Sequence, residues 1–166
     1  MKNFRVLKAD EIDVRVASVK ENGVSLLLYK DARVDMSILD ETFGAEKWQR
    51  RHYDCKGNLF CSVGIKIGDE WIWKDDAGSE SNADKQKGES SDSFKRACFN
   101  WGIGRELYTA PFIWVSNDKC KIVQYKGKPA CFDKFTVAKI AIDESHKITA
   151  LAINNKQGHA FIWQKS

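Results

Sequence analysis

KWQRRHYDCKGNLFCSVGIKIGDEWIWKDDA, residues 47–77, is the stretch on which the fold turns. Two glycine-bearing turns, Lys56-Gly57-Asn58 and Gly68-Asp69, cut it into three runs of strand length: Lys47–Cys55, Leu59–Ile67 and Glu70–Ala77. Three such runs joined by tight turns predict an antiparallel meander. Strand side chains alternate between faces, so Leu59, Cys61, Val63, Ile65 and Ile67 share one face of the middle strand. Phe60, Ser62, Gly64 and Lys66 share the other. The first face belongs to a core and the second is free.

An apolar sheet face needs a cover, and the sequence supplies one downstream. The polar loop Gly78–Ala83 leads into a helix from about Asp84 to Trp101, which Gly102 and Gly104 end. Phe94, Ala97, Cys98 and Trp101 recur at spacings of three and four, a stripe suited to lie across the buried face of the meander. Upstream, Val34, Ile38 and Leu39 mark a short helix from Asp31 to about Phe43, stopped by Gly44. Before it, Val14–Val19 and Ser25–Tyr29 flank Glu21-Asn22-Gly23 and predict a hairpin.

Beyond Pro111 the pattern returns to β. Phe135–Ile142 and Ile148–Asn154 form a second expected hairpin, and Ala160–Trp163 a last strand. The predicted class is α+β: a β-β-β-α core with an N-terminal hairpin and short helix, followed by a β-rich C-terminal extension. The expected division is a core domain of residues 1–111 and an extension of residues 112–166.

The 166 residues suffice for one sizeable core, and 43% hydrophobic with 30% charged residues is a globular composition. No apolar run approaches the roughly 20 residues of a membrane span, and charge interrupts the N-terminus before a signal-peptide core forms. A cytoplasmic protein, of a bacterial or phage-infected cell, is the expectation. The five cysteines are odd in number and contain no Cys-x-x-Cys pair, which argues against a disulfide framework and a zinc ribbon; no metal or cofactor is expected. Net charge is +4: residues 1–104 carry 17 Lys and Arg against 18 Asp and Glu, and residues 105–166 carry 10 against 5. A basic excess attracts polyanions, although one of this size is common on ordinary proteins.

Catalytic patterns are weak. No glycine-rich phosphate loop with its lysine is present, and Gly102-Ile103-Gly104 follows a helix rather than a strand, so it reads as a helix stop. Asp75 and Asp76 would suit a magnesium-dependent nuclease only if they converged, and neighbouring strand residues point apart. Three basic clusters remain: Lys85 with Lys87, Lys95 with Arg96, and Arg50 with Arg51. Each alone is more often a solvated face than a site. Lys95 and Arg96 flank a stripe already committed to the sheet, so at least one projects outward, where it can follow a DNA backbone. Trp48, Phe60, Trp71 and Phe99 are candidates to pack on bases or on a neighbouring subunit, with core packing the commoner fate of such rings.

The ordered string Phe43-Gly44, Trp48, three-stranded meander, then Asp92-Ser93-Phe94-Lys95-Arg96-Ala97 and Trp101-Gly102 resembles the Rad52/22-type single-strand annealing family over roughly residues 25–110. The resemblance implies a β-β-β-α core that forms a homo-oligomer, often a ring, with single-stranded DNA in a basic groove. It implies that Lys95 and Arg96 contact the DNA backbone. A further family arginine near the start of the first helix has Arg33 as its nearest match, one position out of register. The implied function is non-enzymatic: ATP-independent binding and annealing of single strands in recombination or repair, with a single-strand binding protein or a recombinase as further partners. The alternative within the same fold is a module that protects single strands or DNA ends without annealing them.

Overall fold

The structure, a computed structural model, describes residues 3–79 and 85–165, with side chains for 3–79 and 88–165. The fold is α+β, with two α-helices and antiparallel sheets among the described residues. The chain divides into two units: the stretch ending at Arg5 with Ala32–Gly104, and Val6–Asp31 with Arg105–Ser166.

The first unit contains the meander. Strands β3 (Trp48–Cys55), β4 (Asn58–Ile67) and β5 (Glu70–Ala77) pair antiparallel in that order, within a residue or so of the boundaries that the turns predict. Lys56 and Gly57 both take positive φ, 55° and 77°, the conformation a two-residue hairpin turn requires. The register sets Val63 opposite Arg50 on one side and Lys74 on the other, and Gly64 opposite Gln49 and Trp73. Two faces follow from this alternation.

Helix α2 (Lys85–Trp101) closes the face that carries Cys61, Val63 and Ile65, all wholly buried together with Phe94, Ala97 and Cys98. Burying apolar surface of this size supplies the main stabilisation of the unit, and polar groups at its margin are matched. The Trp101 indole N–H donates to the Val63 carbonyl at 2.9 Å, and the Lys74 ammonium donates to the Asn100 carbonyl at 2.9 Å while lying 4.7 Å from the Trp101 ring centre. At the start of the covered face, Gly78 lies so close to the Glu89 backbone that a side chain there would collide with it. Helix α1 (Ala32–Phe43) buries Asp35, Ile38 and Leu39 and packs against α2. Gly44, at φ 89°, ends it.

The second unit is β throughout apart from short 3-10 turns. Its main sheet has six strands in the order β11 (Gly158–Gln164), β10 (Ile148–Asn155), β9 (Thr136–Ile142), β1 (Asp13–Lys20), β2 (Gly23–Tyr29) and β6 (Ile113–Ser116). The join between β9 and β1 is a single residue pair, Asp13 with Thr136, so two three-stranded halves meet there as at a corner. Val24, Leu26, Ile113 and Val115 from one half and Ile148, Leu151 and Ile153 from the other share one core. The terminal strands β6 and β11 approach each other, giving a curled, barrel-like sheet. A small hairpin, β7 (Ile122–Tyr125) and β8 (Lys128–Cys131), flanks it.

This organisation differs from a cut at residue 111. The N-terminal hairpin, which sequence order groups with residues 1–111, hydrogen-bonds to β6 and β9 and belongs with residues 112–166. The physical reason is edge pairing: β1 and β2 each have a second edge to satisfy, and the strands that satisfy it lie beyond the long helix. The redivision also moves charge, since the first unit is balanced and the whole excess of +4 falls in the second.

Candidate nucleic-acid interface

The Lys-Arg pair sits where the apolar stripe of α2 ends. Phe94 and Ala97 are wholly buried and hold the helix rotation fixed, and successive helix residues are separated by about 100°. Lys95 and Arg96 therefore fall outside the buried stripe of α2, Lys95 half-buried at its flank and Arg96 exposed. Lys95 makes no ion pair or hydrogen bond among the described residues. Arg96 Nε lies 3.3 Å from Asp76 Oδ1 on β5. Asn100, one turn on, donates to the Asp75 carbonyl at 2.9 Å and lies 3.3 Å from Asp76 Oδ2. The carboxylate thus steers the guanidinium without burying it, and half of the Arg96 side chain remains in water.

The structure separates the remaining candidates. Arg50 and Arg51 are not one cluster: being neighbours in β3 they point to opposite faces. Arg50 turns to the helix side, its guanidinium carbon 4.9 Å from the Phe94 ring centre, so it adjoins the residue next to Lys95. Arg51 turns to the free face and stacks on Trp73 at 3.7 Å. Arg33 is exposed near the start of α1. The backbone of Lys85 and Lys87 is helical, and their side chains lie outside the described residues.

The aromatic candidates also divide. Trp48 packs on Phe94, with ring centres 6.1 Å apart, and its N–H donates to Asp40 Oδ1 at 2.6 Å, which makes it part of the scaffold. Phe99 is half-buried on α2. Phe60 and Trp71 lie on the free face. Two further residues there, Tyr53 and Trp73, are not singled out by the sequence reading. The period-two pattern Trp71-x-Trp73, placed opposite Lys66 and Gly64, is the signal that identifies Trp73, and Tyr53 follows from its place on β3 opposite Phe60.

Asp75 and Asp76 do not converge. Asp75 accepts from Ser62 Oγ and from Tyr53 OH, the latter at 2.9 Å, on the free face, and Asp76 faces Arg96 and Asn100 on the other. The hydrogen bond to Asp75, with the added charge repulsion and slight desolvation, holds the Tyr53 phenol above its ordinary pKa. Among the described residues no group of His, Cys, Asp and Glu stands together in a way that could hold a metal ion. Burial pushes the Cys61 thiol up to about 11, so it is a core residue and not a nucleophile.

An antiparallel meander backed by a helix here carries cations on that helix and rings on the uncovered strands, the side-chain types that meet phosphates and flat bases in single-strand binding proteins. Residues 5–125 match the family model described as the Rad52/22 family double-strand break repair protein. The chain belongs to the Rad52/22 family, which places it in DNA binding, recombination and double-strand break repair at the level of the family. Searches of the curated proteins and of the solved structures each return no match. No helix among the described residues is long and apolar enough to cross a membrane.

Proposed function

We propose that the chain binds single-stranded DNA along the outer side of α2 and anneals complementary strands without ATP, acting as a homo-oligomer in recombination or repair in a bacterial or phage-infected cell. The observation that carries this reading is the placement of Lys95 and Arg96: the buried stripe of α2 fixes the helix, and the pair stands outside that stripe with Arg96 half in water. Neutralising phosphates there releases counterions, and the base edges stay available to a complement. Base pairing supplies the free energy, so no nucleotide hydrolysis is required. Repetition of a modest site around an oligomer, a ring included, multiplies weak contacts along one strand.

The test is the rate at which two labelled complementary oligonucleotides pair, with no nucleotide present, at low and moderate salt. Acceleration that fades with salt is the expected result. Tight single-strand binding that slows pairing would make the protein a protective module for strands or ends, and the absence of binding would remove the reading. In the same assay a single-strand binding protein coating the oligonucleotides tests whether such a protein, or a recombinase acting afterwards, is a partner.

A further inference from the structure

We propose that the free face of the meander is a stacking platform for the bases of single-stranded nucleic acid, separate from the phosphate-binding side of α2. This deepens the proposed single-strand binding and rests on it. The face carries four rings, Tyr53, Phe60, Trp71 and Trp73, with two cations, Arg51 and Lys66. Trp71 and Trp73 stack with centres 6.1 Å apart and planes 30° from parallel, and the Arg51 guanidinium carbon lies 3.7 Å from the Trp73 ring centre. Tyr53 and Phe60 stack at 5.6 Å and 23°. The arrangement is held from below. A Cβ on Gly64 would lie 2.7 Å from the Trp73 ring, so the indole rests on bare backbone. Tyr53 is tied by its hydroxyl to Asp75.

Rings fixed in this way have lost their conformational freedom before any ligand arrives, yet Trp71 keeps 37% of its surface exposed and Tyr53 41%. The charges select the occupant. Arg51 and Lys66 make no ion pair among the described residues, and the one carboxylate on this face, Asp75, is engaged by Ser62 and Tyr53. An apolar protein partner would bury two unpaired cations, which is costly. A second copy related by a two-fold axis would set the same cations against each other. A duplex hides the flat surfaces of its bases. A single strand offers flat bases for the rings and phosphates for Arg51 and Lys66 at once.

The experiment compares oligothymidylate with an abasic strand of equal length, which keeps the phosphates and lacks the bases, against the wild type, Trp71→Ala and Trp71→Phe. Circular dichroism and light scattering monitor fold and assembly. Trp71→Ala is expected to weaken oligothymidylate binding about tenfold, the scale of one stacked base. Its affinity for the abasic strand stays that of the wild type, and Trp71→Phe keeps most of the thymidylate affinity. Charge reversal of Lys95 and Arg96 instead weakens both strands together. Unchanged thymidylate binding by a folded Trp71→Ala overturns the platform, as does an equal loss on both strands. A change in assembly size makes the face a contact between copies and overturns it too. A wild type that binds neither strand removes the underlying single-strand reading, an outcome distinct from failure of the platform alone.

Discussion

On one side of the meander Cys61, Val63 and Ile65 lie wholly beneath α2, and on the other Trp71 and Tyr53 keep more than a third of their surface in water. The same three strands make both faces, and a shift of one residue along any of them passes from one to the other. The covered face carries branched aliphatics and a thiol, with its polar groups matched at the edges by Trp101, Lys74 and His52, whose ring nitrogen lies 3.1 Å from the Ser90 carbonyl. The uncovered face carries flat rings and two cations that make no ion pair among the described residues. Stability is concentrated on the covered side, and the base stacking we propose on the uncovered one, so substitutions on the two faces should fail in different assays.

The largest separation is expected between Phe94→Ala and Phe60→Ala. Phe94 is wholly buried between Trp48, Arg50 and the sheet, and its truncation should cost about 3–5 kcal/mol. Phe60 is half-buried, and its loss should cost about 1 kcal/mol. Urea unfolding followed by circular dichroism measures both, and equal shifts of the midpoint would erase the distinction between the faces. Next comes Gly64→Val, which drives a side chain into Trp73. A cost of about 1–3 kcal/mol is expected, together with a change in tryptophan emission; an unaltered spectrum would show that Trp73 does not rest on that glycine.

Much of this contrast is legible in the sequence. Alternation in residues 59–67 separates the faces, and the spacing of Phe94, Ala97, Cys98 and Trp101 names the cover. Both are local signals, with the turns between strands marked by glycine. The second unit is legible only in pieces. Its hairpins follow from Asn22-Gly23 and from the polar stretch 143–147, but their mutual pairing does not. One residue pair, Asp13 with Thr136, joins the halves, and no periodicity encodes a partner more than a hundred positions away. The site shows the same limit. Lys95 and Arg96 are readable from the helical stripe, whereas the Arg96–Asp76 contact depends on which strand lies beside α2.

A smaller effect tests that contact. Asp76→Asn should change stability by no more than about 1 kcal/mol, since the pair is partly exposed. It should strengthen single-strand binding a few-fold and steepen its salt dependence, because Arg96 no longer shares its charge with a carboxylate. Titration of a labelled oligonucleotide at several salt concentrations is the measurement, and unchanged affinity would place Arg96 outside the DNA path. The smallest difference is chemical. Exposed Cys55, at the end of β3, should be alkylated by a maleimide near pH 8 within minutes, whereas Cys61, whose thiol stays protonated up to about 11, reacts only after unfolding. Mass spectrometry of the peptides reports both; labelling of Cys61 at the rate of Cys55 would mean that α2 does not seal the face.

The chain enters the second unit at Val6, leaves it at Asp31 and returns at Arg105, so the helix-backed meander is an insertion in a β-structure that brackets it. This gives translation a schedule. The hairpin β1–β2 emerges early, but β6, which covers the outer edge of β2, is made more than eighty residues later. At about 5–20 residues per second that edge waits on the order of ten seconds. The inserted unit, contiguous from Ala32 to Gly104, has most of its parts in hand before then and can close first. A released chain ending at residue 111 should thus carry a protease-resistant meander beside a protease-sensitive hairpin, because β6, the strand that covers the free edge of β2, is missing from it.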